Sequence, residues 1–205
     1  MKHPSSKAVF AYWNERRGGR PAPDRADIDP GAIRHALGDT FLLAADFAGQ
    51  LRFRLAGTRA CALFCRELKG EDFGELWSEQ NRQPVEQLLA SVTQEAVAAV
   101  AGATGRTEDG EAIDLEMLVL PLAHKDTTRV RVLGVLAPAS PPYWLGEKAL
   151  ADIEMTTLRY LGTAPGSDGL ATLQPALDDI RVKHGFVVYS GGRAIPAGQN
   201  GITRR

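Results

Sequence analysis

Cys61 and Cys65 stand four residues apart and are the only cysteines in the chain. Thiolates bind soft metals and oxidise reversibly, so metal ligation and redox sensing are the first chemistries to weigh. A helical i, i+4 pair holds its Cβ atoms about 5–6 Å apart. A disulfide needs roughly 4 Å, and no neighbouring histidine completes a zinc set. Both thiols therefore read as buried structural residues. The histidines are His3, His35, His124 and His184. His35 and His124 read as surface or helix-end residues rather than acid–base groups. Arg52 and Arg54 fall on one side of a strand, where paired guanidiniums could grip a carboxylate or phosphate. The plainer reading is a solvated strand face, ion-paired with Asp114 or Glu116. Glu71, Asp72 and Glu75 follow a glycine but match no calcium loop. No nucleophile elbow, phosphate-binding glycine loop or metalloprotease motif is present. No catalytic residue and no metal ligand is assigned.

Charge and length exclude more than they suggest. A net charge of −1 gives no global attraction to nucleic acid or to an anionic membrane. Arg181, Lys183, Arg193, Arg204 and Arg205 make only the tail locally basic, which makes DNA binding a weak reading. No apolar run approaches the roughly 20 residues that span a bilayer. Met1 to Arg17 lacks a signal-peptide core, and two cysteines suit a reducing compartment, so a cytoplasmic protein is expected. A length of 205 residues fits one domain with extensions.

The elements that must position these side chains follow from periodicity. Ser5 or Ser6 is expected to cap a first helix carrying Val9, Phe10, Tyr12, Trp13 and Arg16 up to Gly18-Gly19. Asp29-Pro30 predicts a short helix through Leu37. Phe41, Leu43, Ala45 and Phe47 predict one strand. Leu51, Phe53 and Leu55, alternating with Arg52 and Arg54, predict its hairpin partner. A helical interlude follows, with Val85, Leu88, Leu89 and Val92 on one stripe. Residues 97–106 predict a weaker strand, Asp109-Gly110 a tight turn, and Ile113, Leu115, Met117 and Val119 the next strand. Val130, Val132, Leu133, Val135 and Leu136 predict the last core strand, ended by prolines. Leu150, Ile153, Thr157 and Leu161 predict one more helix. Phe186 to Tyr189 predict a short strand, and the last dozen residues read as disordered.

This order predicts an α+β fold. It is a PAS-like five-stranded antiparallel sheet with a helical interlude, an N-terminal helical extension and a partly irregular C-terminal tail. The expected divisions are residues 1–38 for the extension, 39–140 for the core and 141–205 for the C-terminal helix and tail. Phe53, Leu55, Phe64, Leu88, Val92, Leu115, Met117 and Val135 are expected to line or fill a pocket under the interlude. The opposite sheet face is also too apolar for water at Leu42, Leu118 and Leu120. Val9, Phe10 and Trp13 are its expected cover, either within the chain or across a partner, which makes a homodimer the expected assembly.

Several short motifs carry a family resemblance, over most of residues 8–162 and a patch of the tail. They are Tyr12-Trp13, Arg25-Ala-Asp-Ile-Asp-Pro30, Arg52-Phe-Arg-Leu-Ala-Gly-Thr58, Leu68-Lys-Gly-Glu-Asp-Phe73 with Leu76-Trp77, and Phe186-Val-Val-Tyr-Ser-Gly-Gly-Arg193. Their order resembles the PAS-domain proteins of alphaproteobacteria formerly filed as a domain of unknown function. The resemblance implies a sensing or regulatory module rather than a reaction. Haem is disfavoured because no histidine falls between residues 58 and 95, where haem-binding PAS proteins carry the axial ligand. Flavin is disfavoured because Cys65-Arg66 lacks the glycine-x-asparagine that precedes it in light sensors, so no cofactor is expected. The expected function is a non-enzymatic module acting by protein–protein contact with an unidentified signalling partner, with a small apolar ligand in the pocket as an option. Two alternatives stay open: an interaction module with a filled core and no ligand, and a small enzyme of unrecognised type. No effector domain follows in the chain, so the output is expected to be non-covalent.

Overall fold

The computed structural model describes residues 1–123 and 131–161, together with the backbone of 180–183 and 186–189. Val130, His124, His184, the basic Arg193, Arg204 and Arg205, and the tail expected to be disordered lie outside the described residues. The helices are α1 (Pro4–Arg17), α2 (Thr58–Ala62) and α3 (Glu79–Gln94). The strands are β1 (Thr40–Ala45), β2 (Leu51–Ala56), β3 (Ala98–Thr107), β4 (Ala112–Leu122), β5 (Arg131–Pro138), β6 (Leu150–Leu161), β7 (Ile180–Lys183) and β8 (Phe186–Tyr189). They form one sheet in the order β2-β1-β5-β4-β3-β6-β8-β7. All neighbours are antiparallel except β6 and β8. The expected five-stranded PAS-like sheet is present as β1 to β5, and β6 extends it beside β3.

Helices cover both faces. Ile113, Leu115, Met117 and Val119 of β4 point into a core under α2 and α3. Leu118, Leu120 and Leu122 point into a second core under α1. The run is continuously apolar because neither face meets water, so period-2 alternation shows only in its polar first half. One close approach sets the sheet's inner layer. Gly134 of β5 pairs with Phe41 of β1, and a Cβ on Gly134 would lie 2.1 Å from the Phe41 ring. The β3–β4 turn forms at Asp109-Gly110, with Gly110 at φ +88°, where an L side chain is strained.

Three local expectations change. Helix α1 starts earlier than Ser5: Pro4 opens it, and the His3 Nδ1 accepts from the Ser5 N–H. Asp29-Pro30 opens only a 3-10 turn, Pro30–Ile33, rather than a helix through Leu37. The helix expected over 150–161 is strand β6. Its buried residues are Leu150, Ile153, Met155 and Leu158, spaced three, two and three apart. Irregular pairing with β3 leaves Ala151 and Thr156 as extra residues in the register. Two bulges thus turn an alternating strand into a pattern that imitates a helical stripe.

Strand β6 also fastens the interlude. Ser78 donates to the Ile153 carbonyl at 3.0 Å, and Leu150 donates to the Leu63 carbonyl at 2.8 Å. The Met155 N–H donates to the Asn81 side chain at 3.0 Å. The first half of its free edge is therefore paired by the interlude, and Leu158 and Arg159 pair with β8. An edge left open would be a template for aggregation.

Gly134→Ala should destabilise the protein by about 1–3 kcal/mol, the usual cost of overpacking. Urea denaturation of the variant beside the parent measures it, and equal midpoints would remove Phe41 as the constraint.

Candidate functional site: a filled interlude core and a closed N-terminal helix

Under the interlude, Phe41, Phe53, Phe73 and Trp77 make a continuous aromatic cluster. Ring centroids are 5.7 Å apart for Phe41–Phe53, 5.3 Å for Phe41–Phe73, 5.5 Å for Phe53–Phe73 and 5.9 Å for Phe73–Trp77. These are contact distances for tilted and edge-to-face rings. Leu63, Phe64, Leu68, Leu88, Val92, Leu115 and Met117 surround them, all buried. Trp144, from the connection between β5 and β6, also enters this core. Two surface concavities, one beside Pro21, Ala22 and Pro121 and one beside Arg66 and Lys148, are lined by none of the four aromatic residues.

Six of the eight expected pocket residues meet here: Phe53, Phe64, Leu88, Val92, Leu115 and Met117. Leu55 and Val135 do not. Leu42 pairs with Leu55 and Leu43 with Phe53, so Arg54 is an extra residue and the alternation flips between Phe53 and Leu55. Leu55 is consequently 51% exposed. Val135 belongs to the core under α1, because Val132 and Leu136 take the interlude side of β5. An unbroken apolar run hides which phase faces which layer. Sequence reasoning left Phe41, Phe73, Trp77 and Trp144 out of the site. Phe41 alternates with Leu43 and was legible; Phe73, Trp77 and Trp144 sit in turns and connections with no period to reveal them.

On the other face, Val9 and Trp13 are buried against the sheet of their own chain. The Trp13 indole donates to the Pro121 carbonyl at 2.8 Å, and Phe10 is half-buried, stacked on Trp13 with centroids 6.1 Å apart. The partner-facing alternative for Val9 and Trp13 is therefore corrected, while Phe10 stays half-buried at the edge of this core. A sheet apolar on this face must be covered, and α1 covers it from within, leaving Val9 and Trp13 no surface to offer.

Polar contacts hold the amino end of α1. Glu116 accepts from the Lys2 N–H at 2.5 Å and the His3 N–H at 3.0 Å. The Ser5 hydroxyl donates to the Asp39 Oδ2 at 2.5 Å. Arg59, on α2, donates Nε to Oδ1 and Nη2 to Oδ2 of the same carboxylate, both at 2.7 Å. Burial pushes the Asp39 carboxyl up, but the hydrogen bonds from Arg59 and Ser5 outweigh it and hold it below its ordinary 3.8.

The side chains with chemical potential are engaged locally. Arg52 pairs with Asp46 at 2.9 Å, not with Asp114 or Glu116, and also donates to Gln50 and the Gly70 carbonyl. Glu71 pairs with Arg66 at 2.9 Å, and Asp72 accepts from the Gly74 N–H. Cys61 is buried, while Cys65 is exposed at φ +51°, which corrects the expectation for that thiol. Cys65 closes the turn after α2 in the left-handed region, which carries it off the buried stripe. Among the described residues no group of His, Cys, Asp and Glu could hold a metal ion. No described helix is long and apolar enough to cross a membrane.

The sheet runs β2-β1-β5-β4-β3 with helices between β2 and β3, and the comparisons with known proteins bear on that arrangement. A family model described as PAS domain matches residues 1–137, so the chain belongs to the PAS-domain family. Members of that family are typically sensory or regulatory modules. Among solved structures, the chain is similar to the PAS domain of a protein from Colwellia psychrerythraea, at 14% identity and a TM-score of 0.40. That match covers 54% of this chain and 97% of the other. It is also similar to an RNA-binding light-oxygen-voltage receptor, at 15% identity and a TM-score of 0.40, covering 61% of this chain and 36% of the other. No curated protein matches.

Phe53→Ala should cost about 3–5 kcal/mol, as large aromatic truncations in a packed core do. Leu55→Ser, two residues away, should stay within about 0.5 kcal/mol. Chemical denaturation of the pair checks the flipped alternation; comparable losses would contradict it.

Asp39 predicts a pH dependence. Its folded pKa lies below the unfolded one, so its contribution is complete above the ordinary carboxylate range and is lost as pH falls through the lowered value. Asp39→Asn should cost about 1–3 kcal/mol at neutral pH, discounted because Arg59 is half exposed. The gap between parent and variant should close on acidification, as followed by denaturation at a series of pH values.

Proposed function

We propose that the chain is a non-enzymatic regulatory module of the cytoplasm that acts by protein–protein contact and passes changes through α1, with an interlude core filled by its own side chains. The aromatic cluster carries this reading. Phe41, Phe53, Phe73 and Trp77, at 5.3–5.9 Å, occupy the space between interlude and sheet that a ligand would need. The interlude supplies no histidine to a haem, and Cys65-Arg66 has no preceding glycine-x-asparagine for a flavin. Neither cofactor is part of the proposal. An enzyme would be expected to gather perturbed titratable groups in a cleft. Here the lowered carboxylates are scattered: Asp27 and Asp46 are held by Arg20 and Arg52 on the surface, Asp109 by Lys148 beside one concavity, and buried Asp39 by Arg59 and Ser5. A homodimer through Val9 and Trp13 is not proposed, because both are buried within the chain.

One observation favours a second reading, a small amphipathic ligand in the core. The Trp77 indole N–H is buried with no acceptor among the described residues. An unpaired buried donor costs about 1–3 kcal/mol, which a bound acceptor would relieve. Native mass spectrometry of freshly purified protein separates the two. The polypeptide mass alone, with no haem or flavin band in the absorption spectrum, is expected. A stoichiometric adduct lost on denaturation would overturn the filled-core reading in favour of the ligand.

A further inference from the structure

Two layers on opposite faces of the sheet meet at one carboxylate. Asp39 closes the turn Leu37–Asp39 just before β1, and it is buried. Its Oδ2 accepts from Ser5 of α1 and from Arg59 of α2 together, while its Oδ1 accepts from Arg59. Arg59 also donates to the His35 carbonyl at 3.1 Å. A buried carboxylate depends on its donors, so loss of Arg59 changes what Oδ2 offers to Ser5.

The backbone around this group is packed too closely to slip. A Cβ on Gly57, which immediately precedes α2, would lie 2.0 Å from the Leu37 carbonyl oxygen, and one on Gly38 would lie 2.7 Å from the Arg59 guanidinium carbon. The Gly57 N–H donates to the Thr40 carbonyl at 2.8 Å. The start of α2 therefore cannot shift without moving the turn that carries Asp39. By contrast, the other interlude ion pair, Arg66–Glu71, is exposed and touches no part of α1.

We propose that Asp39 is a latch coupling the interlude to the N-terminal helix, such that displacement of α2 carries Arg59 and the Asp39 turn with it, draws the carboxylate away from Ser5 and loosens the amino end of α1 from the sheet. The loosening is confined to the first turn of α1, because Val9 and Trp13 stay seated on the apolar face made by Val100, Leu118, Leu120, Leu133 and Val135. The latch deepens the reading of α1 as the output element and rests on it for its biological use. Its test reads the coupling alone, so it fails or holds independently of the mass measurement above.

The test is hydrogen–deuterium exchange on the full chain, comparing α1 amides with β4 amides as the global reference. Arg59→Gln should speed exchange in α1 about tenfold or more, the effect of losing a hydrogen-bonded charge, with β4 unchanged. Arg66→Gln should leave α1 as it is. In a Ser5→Ala background, where α1 has already lost the carboxylate, Arg59→Gln should add little further change. The proposal is overturned if Arg59→Gln leaves α1 unchanged, if it acts equally in the Ser5→Ala background, or if β4 exchange rises in step with α1.

Discussion

A sheet that is apolar on both faces must be covered on both faces, and the architecture follows from that requirement. Strand β4 states it most clearly, with Met117 and Val119 in one core and Leu118 and Leu120 in the other, all fully buried. Exposed, either face would be a large apolar patch of the kind that drives association. The interlude covers one side and α1 the other. The N-terminal helix is therefore a structural layer, held by Val9 and Trp13 and by the indole bond to Pro121.

The interlude is the less regular layer, and it is held by its edges. Its middle is short turns rather than long helices, so packing alone gives it little directional restraint. Strand β6 supplies restraint through backbone groups. Ile153 and Met155 bond to Ser78 and Asn81 at the start of α3, and Leu150 bonds to Leu63 after α2. The same strand closes the β3 side of the sheet. Trp144 fills the angle where the chain crosses from β5 to β6. Aromatic rings thus pack its centre, and a sixth strand fastens its rim. On the far side, the close approach of Gly57 to Leu37 seats the start of α2 against the turn that carries Asp39.

The strands with one polar face are legible in the sequence. Asp114 and Glu116 alternate with Ile113 and Leu115, and Arg52 alternates with Phe53, so their inward sides could be named. Where the alternation breaks or disappears, the inference breaks with it. The bulge at Arg54 turned Leu55 outward. The bulges at Ala151 and Thr156 gave β6 a helical spacing. Val135 could not be assigned to a layer because its neighbours are apolar on both sides. In each case the missing information is the hydrogen-bond register with another strand, which no local window contains.

From its own residue pattern, the chain determined a five-strand sheet with a helical interlude, an apolar demand on both faces, and an interlude without histidine. Those are properties of spacing and composition, and they act locally along the polymer. The tertiary structure decided what meets what. It placed Phe41, Phe73 and Trp77 against Phe53, made residues 150–161 a strand, folded α1 onto its own sheet, and gathered Ser5, Asp39 and Arg59 from distant parts of the chain. The reason is physical. A local pattern states that a surface must be buried, whereas the choice of what buries it depends on register, bulges and the geometry of contacts remote in sequence.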